Sequence, residues 1–357
     1  MNNPPLVSIV IPSYNHAQFV QETIQSVIDQ DYENIELIII DDGSKDNSVE
    51  VIQKMVPACE ARFKRFEFRY RPNKGLCATL NEALEWCQGK YYAPIASDDV
   101  LLPHKSRVQV EFLEQNKECV AVGGKAQAIS ETGEELGRIH GTIGKFYFKE
   151  VFLHQGFLAA PTAMIRARNI INVDGYDESI KIEDWLMWLK LTESGNYLET
   201  LDEIFCFYRK HDNNISKNYQ LMASERMKII ELFSKHPLKS QALKAVNKIN
   251  NKESILSKYG LNVSDEEELK AYLKNNTNAI VYGGGAYLEN ITKYLPREKI
   301  YEILYTQGDD IASETTNLIV DINNYQSILI CSSFYDEIIQ TIKTKASSAV
   351  EIKVAYF

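Results

Sequence analysis

The stretch IELIIID, residues 35 to 41, is apolar at both alternating positions, as a strand covered on both faces of a sheet requires. Such a strand needs helices above and below it, and the neighbouring sequence supplies them. LVSIVIP (6 to 12) is a second short apolar run that ends in a turn, and AQFVQETIQSVIDQ (17 to 30) places Phe19, Val20, Ile24, Val27 and Ile28 on one helical face. Ser44 or Asp46 can cap the helix that runs through Val51 and Ile52. FEFRY (66 to 70) and YYAPIA (91 to 96) read as a third and a fourth strand, joined by a helix that stacks Leu76, Leu80, Leu84 and Cys87. This β-α-β-α order predicts an α/β fold with a mostly parallel sheet wrapped by helices.

After residue 104 the pattern loosens. A helix through Val108 and Phe112, a strand CVAVGG and a mixed section lead to a helix DWLMWLKLTESG (184 to 195). From 218 to 252 the chain turns basic and helical, with Met222, Ile229, Ile230, Phe233, Leu243 and Val246 as the apolar stripe. It reads as a helical connector, and a solvated basic face on a packed helix pair is preferred over a membrane-surface role. NAIVYGGGAYLENITKYL (278 to 295) opens a second α/β unit, with KIYEILYT, SILICSS and EIKVAYF as further strands. Three glycines between a strand and a helix can cradle a phosphate, but Leu288 stands where the dinucleotide fingerprint needs glycine, so a packing or partner-binding module is expected. The expected division is 1–216, a connector at 217–262, and a small Rossmann-like domain at 263–357.

With 357 residues, 45% hydrophobic and 25% charged, the chain is long enough for two domains and a sizeable core. Its net charge of -10 argues against nucleic-acid binding, which needs a basic face to replace counterions. No apolar run approaches the ~20 residues that span a bilayer, and MNNPPLVSIV lacks the regions of a secretory signal, so a cytoplasmic protein is expected. The six cysteines are scattered without a C-x-x-C pair and read as free thiols, mostly buried, rather than a zinc site.

In an open α/β sheet the ligand crevice lies outside the carboxyl ends of the strands. Three polar clusters occupy those ends here: PSYNH (12 to 16), DDGS (41 to 44) and SDD (97 to 99). Two adjacent acids repel a phosphate unless a divalent cation bridges them, and Mg2+ or Mn2+ takes one or two carboxylates and completes its shell with phosphate oxygens and water. A carboxylate in the DDGS turn can accept a hydrogen bond from a base N–H, which uracil N3 offers and cytosine N3 does not. Tyr14 offers a flat face to the base. The sum is a metal-bound nucleoside diphosphate, with uridine preferred. DDGS alone is also a good turn and helix cap; its occurrence with the other two clusters in one α/β unit is what points to a site.

VSIVIPSYNHAQFVQETIQSVIDQDYENIELIIIDDGSKDNS, RPNKGLCATLNEALEWCQGKYYAPIASDDVLLP, GYDESIKIEDWLMWL and YRKHDNNIS together resemble the family 2 glycosyltransferases of the GT-A fold, over roughly residues 5 to 216. The resemblance implies transfer of a sugar from a nucleotide donor, a UDP-sugar, to an acceptor hydroxyl with inversion at the anomeric carbon. It implies that Pro12 and Tyr14 contact base and ribose, that Asp42 accepts from uracil, and that Asn73, Lys74 and Gly75 approach the donor. Asp98 is then expected to reach the ribose or the metal, Asp99 to hold the cation, and His211 to add a metal or diphosphate contact. Ala96 departs from the pattern, because many members carry an acid there. Inversion needs one in-line displacement with a base on the acceptor; the family pattern favours Asp184 as that base, with Glu183 orienting the acceptor or a neighbouring loop. The segment GFLAAPTAMIRARN (156 to 169) is expected to influence specificity. The other histidines, His16, His104, His140, His154 and His236, show no ligating spacing and read as surface or satisfied core residues.

The implied task is adding a sugar to a growing surface glycan of O-antigen, lipooligosaccharide or capsule type, on a lipid-linked acceptor, with peripheral association at the inner face of a membrane. A homo-oligomer or a partner enzyme would engage the C-terminal domain. Two other readings share some of these features. A sugar-nucleotide nucleotidyltransferase would carry a glycine- and lysine-rich phosphate loop, which IPSYNHAQ lacks, and a non-catalytic scaffold would have no need of Asp98, Asp99 and Asp184.

Overall fold

The computed structural model describes residues 4–262 and, beyond them, Tyr272, Ala279–Gly283, Glu302–Tyr305, Ser327–Cys331, Ile339 and Glu351–Tyr356. The chain divides into two compact units, Met1–Val246 and Asn247–Phe357.

The first unit opens with β1 (Val7–Ser13), α1 (Val20–Ile28), β2 (Ile35–Asp41), α2 (Ser48–Arg62), β3 (Phe66–Tyr70), α3 (Leu76–Trp86) and β4 (Tyr91–Pro94). These four strands lie parallel in the order β3-β2-β1-β4. Register sets Ser13 beside Asp41 and Asp41 beside Tyr70, so the residues that follow each strand emerge along one edge. The isoleucine-rich β2 serves two cores. Ile38 and Ile40 pack with Val10, Leu80, Trp185 and Trp188 on one face, while Leu37 and Ile39 pack with Ile9, Ile11, Val20, Ile24 and Ile52 on the other. Leu76, placed in the apolar stripe of α3 by its spacing, is instead exposed at the helix start, and Cys77, Leu80 and Ala83 form the buried face.

The second half of the sheet is mixed, which is where it departs from a simple parallel reading. It is built from β5 (Val100–Leu101), α4 (Lys105–Gln115), β6 (Cys119–Ile129), β7 (Glu135–His140), β8 (Gly144–Phe146), α5 (Phe148–Phe152), β9 (Met164–Arg166), α6 (Ala167–Asn172), α7 (Glu183–Thr192) and β10 (Tyr197–Arg209). β9 runs antiparallel between β4 and β6, and β10 runs parallel to β6. Two reversals restore the original direction, so β10 ends on the same edge as β1, β2 and β4. β5 then pairs antiparallel with β10 and starts directly after Asp99.

The basic helical segment forms α8 (Tyr219–Leu232) and α9 (Lys239–Tyr259). Ile229, Ile230, Ala242 and Val246 are buried in the first unit's core, with Met222 and Phe233 packed against it. Among the described residues no helix is long and apolar enough to cross a membrane. Cys59, Cys77, Cys87, Cys119 and Cys206 are free thiols.

In the second unit, β11 (Gly260–Asn262), β12 (Ala279–Gly283), β13 (Glu302–Tyr305), β14 (Ser327–Cys331) and β15 (Glu351–Tyr356) form a parallel sheet in the order β11-β15-β14-β12-β13. The three strands expected after the glycine run are present. The glycine run beyond Gly283 and the helix expected after it lie outside the described residues.

Candidate active site

The edge where β1, β2 and β3 end is tied by side chains. Asp41 accepts from the N–H of Ser44 (2.8 Å), from Ser44 Oγ (2.6 Å) and from Ser13 Oγ (3.1 Å), so the first acid of DDGS closes its own turn. Asn15, at φ 53, occupies the left-handed region that asparagine tolerates. Its N–H donates to Ser44 Oγ (2.8 Å) and its side-chain oxygen accepts from Lys45 N–H (2.8 Å), locking PSYN against DDGS. Pro12 lies within β1 opposite Ile40, and Tyr14 stands just past the strand, 42% exposed.

Asp42 points the other way, into the loop before α3. Its carboxylate accepts from the N–H groups of Lys74 (2.8 Å) and Gly75 (2.8 Å) and pairs with the Arg71 guanidinium, while Asn73 Nδ2 donates to its carbonyl (2.7 Å). Charge-assisted bonds of this kind are worth about 1.5–3 kcal/mol each, so Asp42 holds the 71–75 loop in place. A carboxylate offers about four acceptor sites, and three donors leave one. Gly43, at φ 78, makes the close approach possible: a Cβ there would meet Asn73 N at 2.6 Å.

Asp98 and Asp99 lie past β4 and are both buried, at 5% and 1% exposure. Asp98 Oδ2 lies 2.8 Å from His211 Nε2, with Asn214 Nδ2 at 3.4 Å. Asp98 Oδ1 is buried without a hydrogen-bond partner; His16 Nδ1 lies 3.9 Å from it and is itself 2.8 Å from Ser97 Oγ. One ligand atom each from His16, Asp98 and His211 lie within 4.8 Å of one another. Asp99, expected from the resemblance to hold the cation, stands outside this group. Its Oδ1 accepts from the N–H of Arg209 (2.9 Å), and burial, with the neighbouring Asp98 charge, raises it well above the ordinary carboxylate range. Adjacent residues leave a turn in different directions, and here Asp98 takes the cluster and Asp99 takes the backbone.

Arg209 braces both. Fully buried, it donates from Nε to the Asp98 carbonyl (2.9 Å) and from its guanidinium to the carbonyls of Ser130 (3.2 Å) and Glu131 (2.9 Å), pairs with Glu22, and lies over the Phe19 ring. Spacing marks neither this arginine nor the His16 partnership. His16 in particular, read as a bland surface or core residue, joins the acidic cluster, because its neighbours come from positions 97, 98 and 211.

Glu183 and Asp184 open α7, both half-buried. Burial, and then the adjacent Asp184 charge, push Glu183 up to about 8; burial also raises Asp184, against the opposing effect of its Oδ1 accepting from Trp185 N–H (2.7 Å). Tyr208, pushed up to about 12 chiefly by burial, feels the charges of Asp99, Asp98 and Asp184. In the 156–169 segment, Thr162 is buried and accepts from Gly124 N–H (3.1 Å), and fully buried Lys105 donates to the Ala163 carbonyl (3.2 Å).

The profile of the Glycosyl transferase family 2 matches residues 8–172. An uncharacterised glycosyltransferase of Haemophilus influenzae is 31% identical over 250 residues, covering 65% of this chain and 73% of that protein. TuaG of Bacillus subtilis, named for teichuronic acid biosynthesis, is 29% identical over 219 residues, covering 61% and 84%. Other relatives, from Rickettsia felis and Rickettsia conorii, are longer, and the chain spans 31% of each. Among solved structures, the mannosyltransferase PcManGT of Pyrobaculum calidifontis, in complex with GDP-Man and Mn2+, superposes at a TM-score of 0.55 with 13% identity over 76% of each chain. Residues 1–349 of S. aureus TarS, in complex with UDP-GlcNAc, superpose at 0.55 with 16% identity over 82% of each. These structures share the GT-A fold with this chain. The carboxyl-edge acids of the mixed sheet, the family profile and the Haemophilus relative agree, and the chain belongs to glycosyltransferase family 2.

Proposed function

We propose that the chain is an inverting glycosyltransferase that moves a sugar from a UDP-sugar to a hydroxyl of a growing surface glycan, assisted by Mn2+ or Mg2+. The observation that carries this reading is the buried Asp98–His211 pair with an unpartnered Asp98 Oδ1. A buried carboxylate oxygen without a donor is costly unless a cation completes it, so these residues fit a divalent ion. Asp98 and His211 would hold that ion, whose charge, when bound, neutralises the diphosphate that leaves. Asp99 supports them by fixing the start of the His211 segment through Arg209.

The remaining acceptor site on Asp42 suits uracil N3–H, and exposed Tyr14, with Pro12, suits the base and ribose. Asn73, Lys74 and Gly75 would line the donor on the loop that Asp42 holds. Asp184 would take the proton of the acceptor hydroxyl as its oxygen attacks the anomeric carbon and the bond to the UDP oxygen breaks; one in-line displacement inverts that carbon. Its raised proton affinity strengthens it as a base. Glu183 would orient the acceptor side. TarS binds UDP-GlcNAc and PcManGT binds GDP-Man and Mn2+; the acceptor site on Asp42 is the ground for preferring uridine here. The name of TuaG supports a surface polysaccharide as the product, which would place the acceptor on a lipid at the inner face of a membrane.

Calorimetry with UDP and GDP, each with and without Mn2+, tests the reading. Tighter UDP binding with the metal is expected; binding of neither nucleotide in its presence would overturn it.

A further inference from the structure

His16 bears on which cation the site takes, an inference that rests on the reading of Asp98 and His211 as cation-holding. We propose that His16 supplies a third ligand, so that the enzyme holds its ion with two imidazoles and one carboxylate and favours first-row transition ions over Mg2+. Ligand atoms about 2.1 Å from a common ion stand roughly 3 Å apart side by side and about 4.2 Å apart across it. The atoms of His16, Asp98 and His211 lie within 4.8 Å of one another, so side-chain shifts on the order of an ångström bring all three onto one ion.

The placement of His16 is built into the fold. Asn15 before it is held in the left-handed region, the N–H of His16 donates to Ser48 Oγ (3.0 Å), and the His16 carbonyl accepts from the N–H groups of Phe19 and Val20 (both 2.9 Å). The imidazole therefore hangs from the anchored turn that starts α1, and its ring meets the His211 ring edge to face, with centroids 5.4 Å apart. Nδ1 stands 3.9 Å from Asp98 Oδ1, too far for a hydrogen bond, while that oxygen has no other donor. An ion between them would satisfy Oδ1 and would take the Nδ1 lone pair in place of the 2.8 Å contact with Ser97 Oγ. The side chain is 21% exposed, so an ion can enter from this side.

The chemistry follows from the donor set. Mg2+ prefers oxygen ligands and keeps several waters, whereas imidazole nitrogen raises affinity along the order from Mn2+ to Co2+ and beyond. Two imidazoles shift the balance further than one.

The test uses the full chain, with Co2+, Mn2+ and Mg2+ as probes and no sugar donor. Calorimetry is expected to show Co2+ binding at least about tenfold tighter than Mg2+, and His16→Gln, which keeps a partner for Ser97, to weaken Co2+ about tenfold while changing Mg2+ little. Pulsed electron paramagnetic resonance of bound Mn2+ counts coordinated nitrogens directly: two imidazoles in the parent protein and one in His16→Gln support the assignment. One imidazole in the parent, or an unchanged signal in the variant, overturns it while leaving the cation site on Asp98 and His211 intact. Failure of every ion to bind, or binding indifferent to Asp98→Asn and His211→Gln, overturns the cation reading of the site and this inference with it.

Discussion

Asp98 Oδ2 lies 2.8 Å from His211 Nε2 although 113 positions of chain separate the two residues. The contact exists because β10, lying between β6 and β5, runs parallel to β6 and ends at the carboxyl edge, where Asp98 already stands. Neither side chain has an exposed surface of any size, so the pair is assembled by the fold rather than by chance encounter on a surface.

Asp98→Asn is expected to reduce metal-dependent UDP affinity by at least about tenfold, because it removes the charge that a cation needs. Asp99→Asn keeps an oxygen for the Arg209 N–H and is expected to change that affinity less than about threefold. Paired titrations of the two variants check the difference, and equal losses would return Asp99 to the cation.

For the acids of α7, Asp184→Asn is expected to lower turnover by about 10²–10⁴-fold with donor affinity nearly intact. Glu183→Gln addresses stability as well. Its folded value of about 8 lies above the ordinary carboxyl value, so the native state binds the extra proton between those limits, and its contribution is present at low pH and lost as pH rises toward 8. Urea denaturation from pH 5 to 9 should therefore show a slope of up to about 1.4 kcal/mol per pH unit that Glu183→Gln flattens.

Lys105 has the opposite sign. Fully buried, its ammonium is lowered to about 7 by desolvation, so between there and the ordinary lysine value the unfolded chain binds more protons and stability rises with pH. Lys105→Met is expected to stabilise the protein most at and below pH 7 and little near pH 10, which thermal melts across that range would register.

Gly43→Ala places a Cβ against Asn73 N and strains a residue at φ 78. A loss of about 1–3 kcal/mol of stability is expected, together with weaker UDP binding, since the 71–75 loop must retreat from Asp42. Denaturation and nucleotide titration on the same preparation check both.

The parallel half of the sheet was legible because strand and helix periods differ and because β2, apolar on both alternating positions, can only be a covered strand. The convergence of PSYN, DDGS and SDD followed from the rule about carboxyl ends. What spacing could not carry was direction. Nothing in the order of Asp98 and Asp99 tells which faces the cluster, and Asp41 and Asp42 likewise divide into a turn closer and a loop clamp only in three dimensions. Local spacing carries no sign of the His16 cluster, because its partners are far off in the chain, at 97, 98 and 211. The inserted antiparallel β9 was hidden in a segment with little periodicity, and Arg209, a charge at the end of a strand that also carries Glu199, Asp202 and Glu203, gave no sign that it would be fully enclosed.

The strand that delivers Arg209 and His211 also fills the gap between β6 and β5. During synthesis the edge bearing Tyr14 and Asp42 is made before Asp98 can meet its histidine, and β6 keeps one flank unpaired until residues 197–209 are made. The segment that the family profile matches, 8–172, stops short of that event. Completion of the acidic pocket is thus coupled to closure of the sheet, and a nascent or truncated chain ending before β10 has the outline of the enzyme without the Asp98–His211 pair.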